Sequence, residues 1–244
     1  MSTSDFEVVI RPYRHGFDDT ERIVRIFDVN FRIGYTDGLP HALKQTYIQV
    51  TLLCLALVTY ALTSSLILGL AAPLLFLFIR TSYNCFHFGI FHKYCCNDLK
   101  DIAYVYQTES DSNFFVAEVN GRIVGYVAIV NEDCLYERFD EYSKYRIVSD
   151  GKSDSDVDVV KVAELKRMAV DVSFRGLSIG RKMLDHCVNF CKRNNYDRIH
   201  LSTATEQIAA LRLYSRYGFR RGLVEYEIFY SVFIVCVQHM WLDL

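Results

Sequence analysis

The chain is short of everything that marks a zinc scaffold, a disulfide framework or a secreted precursor. Its eight cysteines (54, 85, 95, 96, 134, 187, 191 and 236) form no Cys-x-x-Cys pair, and no Cys/His set has zinc-ligand spacing. No metal site is therefore expected. The cysteines read as small buried hydrophobes, with Cys95 and Cys96 as candidates for palmitoylation. Charge of one sign is missing too. With 27 basic and 29 acidic residues, a formal charge of −2 and a pI of about 6.4, the chain offers no bulk electrostatic hold on a polyanion. No nucleic-acid partner is expected. The opening MSTSDFEVVIRPYRHGFDDTERIV is polar where a secretory signal needs an apolar stretch, so any membrane targeting is expected to be internal.

What is present is apolar material: 244 residues, 51% hydrophobic and 14% aromatic, enough for one domain over 1–244 with an insertion. The insertion is conspicuous. From Thr46 to Ile79 there is no Asp, Glu, Lys, Arg or His, while Arg32, Lys44, Arg80 and Lys93 flank the run on both sides. A bilayer crossing takes about 20 apolar residues, so the run is long for one span and marginal for two. Thr63-Ser64-Ser65, Gly69 and Pro73 are internal break points. The chain before it and the chain after it are expected to join one sheet, so it must leave and return on the same side. That favours a helical hairpin over 46–80, re-entrant or barely spanning, and makes a lipid bilayer an expected partner.

The stretch Ala163 to Gly222 organises the rest. A short apolar run ends at Asp171, the loop Arg175-Gly176-Leu177-Ser178-Ile179-Gly180 follows, and Met183, Leu184, Cys187, Val188 and Cys191 then recur at helical spacing. A helix N-terminus presents unpaired N–H groups and partial positive charge, so a small-residue loop there suits a pyrophosphate, and Arg175, Arg181 and Lys182 add charge of the right sign. Upstream, FEVVIR (6–11) reads as a strand and Asp18-Asp19-Thr20 as a helix start. Asp98 to Tyr106 reads as a short helix capped by Asp98. NFFVAEV (113–119) and RIVGYVAIV (122–130) read as a hairpin turned by Asn120-Gly121. Ser149–Asp158, with Asp154, Asp156 and Asp158, lacks the glycine and glutamate of a calcium loop and reads as a solvated connection. FYSVFIVCV, near the C-terminus, is expected to close the sheet.

The loop, followed by Ala210-x-x-Leu213-Tyr214-x-x-x-Gly218-Phe219, resembles the GNAT acetyltransferase superfamily. With the hydrophobic insertion, Phe114-x-Val116-Ala117-Glu118 and Gln207, the whole chain resembles the camello-like membrane N-acetyltransferases, the N-acetyltransferase 8 group. The resemblance implies an α/β (α+β) fold, a mixed and mostly antiparallel sheet with flanking helices, interrupted by the membrane hairpin. It implies acetyl-CoA as cosubstrate, direct transfer to an amine, no metal, and a location at the endoplasmic reticulum or the ER-Golgi intermediate. Relatives act on cysteine S-conjugates, on protein lysines and, in a sister group, on aspartate, so the acceptor class stays open. One position departs: Ser178 stands where the superfamily usually has glycine.

By the same resemblance Arg175, Gly176, Leu177, Ser178, Ile179, Gly180, Arg181 and Gln207 would hold the cofactor. Met168, Ala169 and Val170 would pair with its pantetheine arm as an added strand does. Tyr214 is the expected proton donor to the leaving thiolate. Glu164 is the expected base, with Glu118 a weaker second. Lys166, Arg167 and Arg212 are candidate cations for an anionic acceptor. The rival from another class is a non-catalytic, membrane-tethered interaction module of the same fold.

Overall fold

The computed structural model describes residues 7–43, 46–131, 161–205, 207–229 and 233–244. Strand β1 (Val8–Pro12) leads into α1 (Thr20–Leu43). Helices α2 (Thr46–Thr63) and α3 (Leu66–Cys95) follow, then a 3-10 turn at Asp98–Lys100 and the short α4 (Ile102–Tyr106). Strands β2 (Asn113–Val119) and β3 (Arg122–Asn131) form the expected hairpin. Asn120 and Gly121 both take positive φ, 49° and 74°, which the tight primed turn needs. After β4 (Val162–Val170) come α5 (Ile179–Arg193), β5 (Arg198–Ala204), α6 (Ile208–Tyr217), β6 (Arg220–Phe229) and β7 (Phe233–Asp243).

The seven strands lie in the order β1-β2-β3-β4-β5-β7-β6, with β4 and β5 parallel and every other pair antiparallel. β7 therefore does not form the edge: it lies between β5 and β6, and β6 is outermost. Both faces of the sheet are covered, which is why β3 is a continuous apolar run rather than an alternating one. On one face Phe115, Val127, Ile129 and Leu165 pack against Ile179, Met183 and Leu184 of α5 and Leu211 and Tyr214 of α6. On the other, Phe114, Val116, Tyr126 and Ala128 pack against Ile23, Ile26 and Phe27 of α1 and Ile102 and Tyr106 of α4.

Between α1 and α4 the insertion forms a helical hairpin, broken where expected at Ser64, which takes φ 52°. Gly69 lets the two helices approach closely, since a Cβ there would lie 3.2 Å from Tyr60 Cβ. Pro73 does not break the run and lies inside α3. Among the described residues no helix is long and apolar enough to cross a membrane, which corrects the barely spanning form of the expectation. The helix read over Asp98–Tyr106 is in fact two pieces, and Asp101, not Asp98, caps α4 by accepting from Tyr104 N–H at 3.1 Å. The Ser149–Asp158 connection lies outside the described residues.

Candidate active site

Two parallel strands that part company make the central opening. β4 pairs with β5 only over Val162–Glu164 against Arg198–His200, while its other edge pairs with β3 as far as Val170. Beyond Glu164, the β5-facing edge of β4 is left without strand pairing among the described residues. An extended ligand arm aligned with such an edge can pair with it as an added strand does. Met168, Ala169 and Val170, the residues expected to meet an extended arm, lie in this stretch.

A bulge re-aims the same stretch. Between Tyr126 and Ala128 of β3 the register slips by one, and Arg167 sits there at φ 55°, a left-handed conformation costly for a residue with a Cβ. The slip changes which side chains reach which face. Glu164 and Lys166 share one face of β4, whereas Met168 packs with the α5/α6 core and Ala169 with the α1/α4 core.

The loop after β4 turns directly into α5. Its first intrahelical bond runs from Lys182 N–H to Ser178 C=O at 3.0 Å, so the N–H groups at the start of the helix have no partner within it. Gly176 has φ 81°, and nothing lies within 4 Å of where its Cβ would be, so the space beside the loop is open. Ser178 has φ 59° and makes no side-chain cap bond; the backbone here requires the left-handed conformation that glycine adopts freely. Leu177 and Ile179 turn their side chains into the core and leave their backbone to the loop. Gly180 is used for packing: a Cβ would meet Leu213 Cδ2 at 3.0 Å and Met168 Cε at 3.4 Å. Asp171 caps the turn through Ser173 N–H at 2.9 Å and pairs with Arg22 of α1. Asn30 of α1 donates to Val170 C=O at 3.1 Å and accepts from the Arg175 guanidinium, so α1 walls one side of the loop. Arg181 lies over the Tyr217 ring, 5.8 Å from its centroid. Gln207, at the N-cap of α6, accepts from Thr203 Oγ1 at 3.0 Å. The open space at Gly176, the helix start and the unpaired β4 edge together fit a pyrophosphate joined to an extended amide-bearing arm.

Tyr214 comes from α6 and is buried, with its hydroxyl 3.7 Å from Met168 Sδ on the open stretch of β4. Burial pushes its phenol well above the ordinary value, so it holds its proton throughout the neutral range. Glu164 stands in register with His200 at the last β4–β5 pair and is ion-paired with Lys166 at 3.2 Å. His200 stacks on His239, ring centroids 5.3 Å apart, and burial lowers its pKa to about 4, Glu164 opposing and His239 reinforcing the shift. Glu118 is not at the opening. It lies on β2, two strands from β5-facing chemistry, and its Oε2 accepts from Arg11 at 2.7 Å.

The α1/α4 face holds a polar cluster with no pattern in the sequence. Arg167 Nε donates to Asp98 Oδ2 at 2.6 Å, and Tyr106 OH donates to the same oxygen. Asp98 Oδ1 and Tyr126 OH are buried, and among the described residues neither has a hydrogen-bond partner. Unsatisfied buried polar atoms beside a strained bulge are where a polar ligand is wanted. Of the cations expected for an acceptor, Lys166 and Arg167 are thus engaged by acids, and Arg212 is exposed on α6.

Residues 77–219 match the acetyltransferase (GNAT) family. The chain is 29% identical over 219 residues to the N-acetylaspartate synthetase of Danio rerio, covering 88% of this chain and 67% of that protein. It is 28% identical over 192 residues to a probable N-acetyltransferase camello of Xenopus tropicalis, covering 78% and 74%. Among solved structures it is similar to an acetyltransferase of the GNAT family from Staphylococcus aureus Mu50. That likeness has a TM-score of 0.52 at 19% identity over 97% of this chain and 99% of that one, and shows the fold.

Proposed function

The chain belongs to the GNAT acetyltransferase family, and on that premise we propose that it is an acetyl-CoA-dependent N-acetyltransferase, acting at the gap between β4 and β5 and held at a membrane surface by its helical hairpin. The single observation that carries the reading is the parting of β4 from β5 after Glu164, opening directly beside the loop at Gly176. Acetyl-CoA, when bound, supplies the activated acetyl group. The N–H groups of Ser178, Ile179, Gly180 and Arg181 would face its pyrophosphate, and the part of β4 around Met168 and Ala169 that no strand pairs on its β5 side would face its amide arm.

This chain's own residues then divide the proton work. Tyr214 keeps a proton on its phenol oxygen at the α5/α6 side of β4, positioned to donate into the gap. Glu164, on the α1/α4 side, is the carboxylate placed to accept a proton from the incoming amine, with Lys166 restraining it. Asp98 Oδ1 and Tyr126 OH supply unpaired polar atoms for the acceptor, while Arg167 and Tyr106 hold the Asp98 carboxylate through its other oxygen. A small amino compound fits this cluster, and the name of the relative in Danio rerio places aspartate on the test panel.

Support for the membrane comes from the hairpin surface. Leu53, Leu57, Leu62, Ile67, Leu74 and Phe78 are 58–81% exposed, an apolar area water does not favour. With neither helix both long and apolar enough to cross, the pair would lie in one leaflet as a re-entrant anchor; an endoplasmic reticulum location follows from the camello-like resemblance. The test is release of free CoA by the detergent-purified chain over aspartate, cysteine S-conjugates, lysine peptides and other amines. Turnover on one class supports the reading. Tight acetyl-CoA binding with no turnover on any would make the protein an interaction module.

A further inference from the structure

Away from the β4–β5 gap, α1 and the end of α3 bring three side chains with metal-ligand chemistry to one point. Asp28 lies on α1. His92 lies on α3, and Cys96 follows one turn later, its N–H donating to His92 C=O at 3.0 Å, so the two share a helix face. His92 Nε2 is 2.7 Å from Asp28 Oδ1 and 3.7 Å from Cys96 Sγ, and the three ligand atoms all lie within 4.8 Å of one another. All three residues are half-buried. The imidazole is fixed by Phe31, edge-on at 5.0 Å, and Phe27 at 5.5 Å.

The geometry separates a metal site from an activated thiol. In a proton relay the carboxylate and the nucleophile take opposite ring nitrogens. Here Nε2 is the nearer nitrogen to both, the sulfur being 4.0 Å from Nδ1, so the donors converge instead of lining up. A tetrahedral zinc with bonds of about 2.0 Å to nitrogen and oxygen and about 2.3 Å to sulfur sets its donors roughly 3.3–3.6 Å apart. The nitrogen–sulfur separation is already close to that. The carboxylate needs only to draw back from its hydrogen bond.

We propose that Asp28, His92 and Cys96 form a zinc site with one position open to water, stapling α1 to the base of the hairpin. Thiolate with imidazole selects zinc over magnesium or calcium, and the carboxylate adds an oxygen donor that zinc also accepts. On binding, the Cys96 thiol loses its proton to solvent and the imidazole coordinates in its neutral form. The staple bears on the candidate active site through α1. Asn30, two residues from Asp28, holds Val170 and Arg175, so metal binding fixes the wall of the loop beside Gly176.

The test uses the full chain, freed of any affinity tag, titrated with Co²⁺ alone and then with Zn²⁺. One cobalt per chain is expected, with a thiolate charge-transfer band and the visible bands of a tetrahedral ion, all displaced by zinc. Cys96→Ser should abolish the charge-transfer band, and Asp28→Asn should weaken cobalt binding at least tenfold, about 1.4 kcal/mol. Zinc should raise the melting temperature of the wild type and not that of Cys96→Ser. Absence of the band in the wild-type chain, or an equal band in Cys96→Ser, overturns the proposal without reference to whether the variants are active.

Discussion

Replacing Tyr214 by Phe removes one oxygen and separates catalysis from packing. The hydroxyl is buried, and its hydrogen bond runs to a thioether 3.7 Å away, a weak acceptor. A typical hydrogen bond contributes about 1 kcal/mol net, so this one should contribute less, and the ring contact with Phe219 at 5.7 Å is untouched. Stability by urea unfolding should therefore change by less than about 1 kcal/mol. Turnover should not be spared. If the phenol delivers the proton, its loss lowers kcat by roughly 10²-fold or more, about 2.7 kcal/mol of barrier, with KM for acetyl-CoA little changed. Because burial holds the phenol protonated, the wild-type rate should show no alkaline fall from this group through the neutral range. The assay is CoA release on the best acceptor found. A variant within threefold of wild type, or one that loses more than about 2 kcal/mol of stability, would refute the role and make Tyr214 a packing residue.

Ser178→Gly should relieve a left-handed serine worth about 1–2 kcal/mol, less the roughly 0.5–1 kcal/mol glycine costs in the unfolded chain, raising the melting temperature by about 2 °C. Gly176→Ala works in the opposite direction at φ 81° and should weaken acetyl-CoA at least tenfold in calorimetry. His200, with its folded pKa lowered to about 4 by burial, is protonated in the unfolded chain first. Stability is thus lost as pH falls below about 6.5, by about 2 kcal/mol between pH 7 and 5, and His200→Gln should flatten that slope in denaturant titrations. Replacing 46–79 by a short polar linker should release the protein from vesicles in flotation assays while acetyl-CoA binding persists. A lipophilic acceptor should suffer more than a water-soluble one, and equal rates would leave the hairpin as an anchor alone.

What the sequence makes legible is what is local. The β4–loop–α5 unit, the Asn120-Gly121 turn and the break at Ser64 depend on spacing or on one conformation, and each lies where periodicity puts it. Tyr214 reaches the open edge of β4 because it rides on a helix whose register the sequence displays. The polar cluster around Asp98 is not local. Asp98 looks like a cap, yet it meets Arg167 across 69 residues, and only because a bulge with φ 55° turns that arginine out of strand alternation. Glu118 fails for the same reason in reverse: its motif is right, and its partner Arg11 lies 107 residues away. The order of β6 and β7 is likewise a matter of long-range pairing. Asp28, His92 and Cys96 escape ligand-spacing rules because one member sits on a different helix, 64 residues from the histidine.

Calorimetric titration of acetyl-CoA into the full-length chain tests the central claim, that the parted β4–β5 edge and the loop at Gly176 form the cosubstrate site. One site per chain is predicted, of micromolar affinity, that is about −8 kcal/mol, and lost when Gly176 is replaced by a bulky residue. No measurable heat at millimolar acetyl-CoA, or binding indifferent to Gly176, would contradict it.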